Sequence, residues 1–245
     1  MSETSATSQP AAGGPGLSLF ARFWGILTAP RETFADVAAR PQWFGMMALV
    51  LVVSAVCTGV FFSTEVGQTA WLDQLVEQAR KTGQEMPEAQ WSTMQTMAKY
   101  MGAVYAVSTL VVAPIIWVAV SGILFAVFNA ALGGTATFRQ LFSVFVHSTA
   151  ITVVQQLFVT PLNYVRETIS SATNLAVFLP MLDESSFLAK LLGAIDLFLI
   201  WWIVVLSIGL AVLFKRKTGP IAAGLFIVYG VIAVVAAAFF GRGGA

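Results

Sequence analysis

The chain is 245 residues long, 58% hydrophobic and 10% charged, and its 13 Lys and Arg against 12 Asp and Glu leave a net charge of +1. Soluble domains carry about 25% charged residues, so this chain lacks the polar surface to face water on every side; its apolar surplus fits several runs of about 20 residues, the length that crosses a bilayer. A charge so near zero, without a basic stripe, excludes a nucleic-acid binder, and the single cysteine, Cys57, excludes an intrachain disulfide or a thiolate metal cluster.

Residues 1–15 are rich in Ser, Thr, Ala, Gly and Pro with one charge, Glu3, and read as a disordered tail. Without Lys or Arg they supply no cationic start for a cleaved signal peptide. Residues 16–42 read as interfacial amphipathic helices. In the first, Leu17, Phe20, Phe23, Trp24 and Leu27 share one face at 100° per residue, with Arg22 elsewhere. In the second, Pro30 suits the first helical position, Phe34, Val37 and Ala38 form an apolar edge, and Pro41 ends the helix. Residues 43–240 then read as an all-α domain of five transmembrane helices, at 43–62, 101–132, 138–160, 188–214 and 220–240, with Pro114 and Pro161 where a kink or an end fits.

Between the first two spans, residues 65–100 form the largest polar stretch. Leu72, Leu75, Val76 and Ala79 repeat at helical spacing, Gly83 interrupts, and Trp91, Met94 and Ala98 resume it, which predicts a helical hairpin whose second arm leads into span two. Residues 174–180 are too short to cross and read as an interfacial or re-entrant turn. Arg31 and Arg40 precede span one, Arg139 lies between spans two and three, and Lys215, Arg216 and Lys217 fill the turn between spans four and five. The positive-inside rule makes these segments cytoplasmic, which puts the N-terminus inside and the hairpin and C-terminus outside.

Two ionisable residues fall within hydrocarbon, His147 and Asp196, and such residues mark either a functional site or a buried interhelical contact. Asp196 is expected about eight residues into span four, on a face of small residues with Gly193 and Ser207, with Arg166 or Asn163 as its partner across the helix interface. His147, with Gln140 and Ser143 on its face, enters from the other side, so a direct couple to Asp196 is not expected. Thr149, Thr152, Gln156 and Thr160 make a polar stripe along span three, which either lines a hydrated path or bonds neighbouring helices and its own carbonyls. Ala55 and Gly59 in span one, and Gly122, Ala126 and Ala130 in span two, have the spacing of close helix contacts.

Catalytic chemistry is sparse. One histidine and one cysteine cannot build a zinc site, Asp196 alone at depth cannot make an aspartyl dyad, and no phosphate-binding glycine loop occurs. Ser121 before Gly122 is the nearest miss to a nucleophile turn, with His147 the one base on offer. No cofactor, metal or nucleotide is expected.

Residues 30–34 (PRETF), 41–43 (PQW), 134–138, 145–148 (FVHS), 195–201 (IDLFLIW) and 208–210 resemble bacterial members of the YIP1 family over nearly the whole chain. The resemblance implies a five-helix membrane domain with a cytoplasmic N-terminus in a bacterial inner membrane; eukaryotic members are associated with vesicle traffic and small GTPases and act without catalysis. The hairpin at 65–100 departs from their compact pattern. The expected function is a non-enzymatic membrane protein that organises the bilayer, protein partners or copies of itself, with a small transporter or channel subunit using spans three and four as the alternative.

Overall fold

The computed structural model describes residues 16–81, 83, 87–179, 181–182 and 186–240; the tail expected at residues 1–15 lies outside them. Among the described residues the chain forms eleven α-helices and no strand: α1 Leu19–Thr28, α2 Pro30–Ala39, α3 Phe44–Ser63, α4 Glu65–Lys81, α5 Glu88–Ala98, α6 Met101–Phe125, α7 Phe138–Ser148, α8 Ala150–Val165, α9 Phe187–Ala194, α10 Leu197–Leu213 and α11 Thr218–Phe240. A π-helical turn, Ala126–Ala131, ends α6, and a 3-10 turn, Leu175–Phe178, precedes α9.

Among the described residues, four helical stretches are long and apolar enough to cross a membrane, Phe44–Ser63, Met101–Ala130, Phe138–Val165 and Thr218–Phe239. The fourth expected span does not form as one helix over 188–214. Its backbone is extended at Ile195 and Asp196, leaving an eight-residue α9 and a 17-residue α10. The third runs past its expected end, because Pro161 is accommodated inside α8, which continues to Val165. That span is interrupted at Thr149, where α7 stops and α8 starts.

Burial grades the helices by position. Of the most apolar window of α7 and α8, 61% is buried, against 6% for α6 and 17% for α11, so the third span is central and the other two are peripheral. The outward faces of α6 and α11 carry Val107, Ile115, Ile123, Ile227, Val231 and Phe239 exposed, apolar surface that only lipid or another apolar partner can satisfy. The core gathers Ile26 of α1, Phe34 and Val37 of α2, Met46 and Val50 of α3, Val144 and Val146 of α7, Ile151 of α8 and Val205 of α10.

Lipid solvates apolar side chains as well as protein does, so close backbone approach takes over much of the work of holding helices together. At the α3–α6 crossing a Cβ on Gly102 would stand 2.7 Å from the Gly59 carbonyl oxygen and 2.1 Å from Ser63 Oγ. The close contact expected at Ala55 and Gly59 therefore falls here. The one expected at Gly122, Ala126 and Ala130 does not form: Gly122 has open space around it, and both alanines are exposed. Gly209 of α10 is a second approach, 2.6 Å from Val144 Cγ1 and 2.9 Å from the Phe34 ring by the same measure.

α1 and α2 divide the interfacial role. α1 exposes Phe20 and Trp24 and buries Arg22 and Ile26, whereas α2 buries Phe34 and Val37 among α7 and α10 and belongs to the bundle itself. At this end the Arg139 guanidinium donates to the Pro41 carbonyl, Gln140 Nε2 to the Ala38 carbonyl and Arg216 to the Leu132 carbonyl. The end of α2, the α6–α7 loop and the α10–α11 turn are thereby held together. At the opposite end, α4 lies against residues 167–170 and packs on α3 and α5.

Candidate functional site

The break between α9 and α10 is the most elaborate polar feature. Leu175 N–H donates to the Ile195 carbonyl at 3.0 Å and Leu197 N–H to the Thr173 carbonyl at 3.1 Å, so Asn174 and Asp196 form an isolated antiparallel bridge. Asp196 is the N-cap of α10, and its Oδ1 accepts from the Phe198 and Leu199 N–H groups at 2.9 and 3.3 Å. Its Oδ2 accepts from the Ser171 hydroxyl at 2.9 Å and the Thr173 hydroxyl at 2.5 Å. The carboxylate thus sits at the positive end of the α10 dipole with four donors. The Tyr229 hydroxyl of α11 donates to the Ala194 carbonyl and satisfies the last turn of α9.

This corrects the expected setting of Asp196, which starts a helix instead of lying within one. Its partners are Ser171 and Thr173, not Arg166 or Asn163. Arg166 is the exposed C-cap of α8 and lines an open cleft of about 510 Å³ with Ser171 and Asn174. Asn163 accepts the Thr168 N–H on its backbone carbonyl, closing the end of α8 together with Glu167 in the left-handed region at φ 53°, and its side-chain oxygen is buried without a partner among the described residues.

The span-three stripe divides in two. Thr149 Oγ1 donates to the Val146 carbonyl at 2.7 Å, and Thr160 Oγ1 to Gln156 Oε1 at 3.3 Å. Thr152 instead lines a cleft of about 360 Å³ with Thr149, Gln155, Asp196, Trp117 and Trp202, and Gln156 is not part of that lining. Thr149, the N-cap of α8, and Thr160 thus turn their hydroxyls to neighbours within the same span, while Thr152 faces the cleft.

His147 is fully buried, with Nδ1 2.8 Å from the Ser143 carbonyl and Nε2 unpartnered among the described residues. Gln140, expected on the same face, closes a capping box with Thr137 and bonds α2. Ser121 Oγ is buried without a hydrogen-bond partner among the described residues, so His147 does not engage it. The charges acting on the His147 ring are Arg22 and Asp36, and Asp196 belongs to a separate polar centre.

Arg22 and Asp36 form a site that helical projection missed. Arg22 Nη2 lies 2.8 Å from Asp36 Oδ2, with side chains 3% and 18% exposed, and the guanidinium also donates to the Arg40 carbonyl at 3.2 Å. Arg40 approaches the other carboxylate oxygen at 3.6 Å. Asp36 lies beyond the turn between α1 and α2, outside any single-helix projection. For the α10 cap a signal was present: Asp is a preferred N-cap, and here it follows Gly193 and precedes an unbroken apolar run.

The Yip1 domain family model matches residues 24–240. No curated protein and no solved structure matches the chain. A match of that extent, over a bundle whose outer helices present apolar faces, makes the chain a multi-pass membrane protein belonging to the Yip1 family.

Proposed function

We propose that this protein is a non-catalytic organiser of the bacterial inner membrane, crossing it five times with its N-terminus in the cytoplasm. The observation that carries the reading is the structural role of Asp196: the one acid within the apolar spans accepts four hydrogen bonds that cap α10 and tie it to Ser171 and Thr173. The Yip1 family is generally not enzymatic. The fifth crossing is α9 and α10 taken together, since α11 packs along both. Arg31, Arg40, Arg139 and Lys215 to Lys217 sit in segments tied together at one end of the bundle, the arrangement the positive-inside rule assigns to the cytoplasm. The opposite end offers the α4–α5 hairpin, whose exposed Glu88, Gln90 and Thr93 suit contact with protein partners or a second copy. A photo-cross-linking residue at Gln90 in intact membranes should yield a discrete protein adduct; adducts to lipid alone would sink the organiser role.

One observation favours a second reading, passage of a small solute: the lining of the 360 Å³ cleft includes Asp196, Thr152 and Gln155, beside a broken helix. Asp196→Asn and Thr152→Leu separate the two. On the organiser reading, vesicles holding the unsubstituted protein leak protons or potassium no faster than empty ones, and the variants lose only stability in detergent. A flux present in the unsubstituted protein and lost in both variants, at equal abundance, would establish the second reading.

A further inference from the structure

The turn between α10 and α11 is built rigidly. Lys215 takes the left-handed conformation at φ 53°, Arg216 N–H returns to the Ala211 carbonyl at 2.9 Å and Lys215 N–H to the Val212 carbonyl at 3.3 Å, which together make a Schellman closure. Arg216 is anchored by one nitrogen on the Leu132 carbonyl at 2.6 Å, so other donors of its fork remain available. Across from this turn stands Arg31, at the second position of α2. Between them lies an open cleft of about 500 Å³ lined by Arg31, Lys215, Arg216 and Lys217 over a floor that includes Ala211 and Val212.

Four cations converge here, and among the described residues no carboxylate lines the cleft. None of the four is paired with a carboxylate among the described residues. Of the acids on α2, Asp36 is committed to Arg22 and Arg40, and Glu32 is not part of the lining. All four are exposed and partly screened by solvent, yet four like charges around one cleft create a positive potential that favours an anion there. The cleft also sits where α10 ends and α11 begins, and α11 carries exposed apolar surface at Ile227 and Val228 further into its length. An anion with acyl chains would meet cations at its head and apolar helix along its tails.

We propose that this cleft holds the phosphate headgroup of an anionic membrane phospholipid. Free phosphate shares the headgroup chemistry but has no acyl chains to follow the exposed apolar side of α11.

The test uses the full chain in detergent, equilibrated with equal amounts of phosphatidylglycerol and phosphatidylcholine of matched acyl chains, with bound lipid counted by native mass spectrometry. The unsubstituted protein should retain phosphatidylglycerol preferentially. Lys215→Asn combined with Lys217→Gln should weaken that retention roughly thirtyfold, for two surface cations lost; Asn tolerates the left-handed region, so the turn keeps its shape. Lys215→Arg with Lys217→Arg should keep the preference, as should Lys99→Gln, which removes a cation at the far end of the bundle. Absence of a preference, or its persistence in the neutral pair, overturns the proposal. So does displacement of the lipid by inorganic phosphate at matched ionic strength, which would make a soluble phosphate ester the occupant.

Discussion

Replacing Asp36 with leucine strands the Arg22 guanidinium in a site where its side chain is 3% exposed. Removing one member of a buried ion pair costs about 3–5 kcal/mol, because the surviving charge is left without compensation. Arg22 keeps its bond to the Arg40 carbonyl and water reaches the Asp36 side of the pair, 18% exposed, so the lower end applies, about 3 kcal/mol. Arg22→Met is a different perturbation. The carboxylate it leaves behind retains Arg40 at 3.6 Å and its partial exposure, so that loss falls to about 1 kcal/mol. Combining Arg22→Met with Asp36→Leu restores an apolar joint between α1 and α2 and should recover about 2 kcal/mol of the loss from Asp36→Leu alone. For a chain of 245 residues, 1 kcal/mol corresponds to roughly 2–4 °C. Thermal unfolding in detergent, followed by tryptophan fluorescence, should therefore place Asp36→Leu about 6–12 °C below the unsubstituted protein and Arg22→Met only a few degrees below it. Equal losses from the two single replacements, or a double replacement equal to their sum, would refute the idea that a buried guanidinium depends on this carboxylate.

Gly102→Leu forces side-chain atoms into the α3–α6 crossing and should cost about 1–3 kcal/mol by overpacking. Gly122→Ala, in open space on the same helix, should be neutral or stabilise by up to about 1 kcal/mol through helix propensity. The same unfolding assay ranks the pair, and the reverse order would remove Gly102 from the list of contacts that hold the bundle. For orientation, in a Cys57→Ala background, Glu88→Cys should react with an impermeant thiol reagent in intact cells, and Gly219→Cys only after permeabilisation; opposite labelling inverts the proposed topology.

Much of the bundle was legible because membrane insertion reads a local sum of hydropathy. Residues 44–63, 101–130 and 218–239 are apolar over one continuous length, and each forms a helix near its expected bounds. Residues 188–214 satisfy the same sum, yet the helix breaks at Asp196. Hydropathy averages over a window and takes no account of whether one side chain can outbid the backbone for its own N–H groups. The 65–100 region was legible by periodicity, as α4 and α5 follow the repeat of its apolar residues. The candidate site was less so. His147 and Asp196 stood out as ionisable groups in apolar runs, but the partners of Asp196 sit 23 and 25 residues away, across a segment whose course no spacing rule describes.

By itself, then, the sequence determined the class of object, the positions of the long helices and the segregation of its cations to particular connections, since each depends on residues near one another in the chain. The tertiary structure alone decided that Arg22 is buried and paired, that α2 enters the bundle, that Asp196 caps a broken helix and that Arg31 faces the Lys215–Lys217 turn. Each of these depends on which helix faces which, and in a bilayer, where lipid competes equally for apolar faces, that choice is made by glycine contacts and a few polar bonds between residues far apart in the chain.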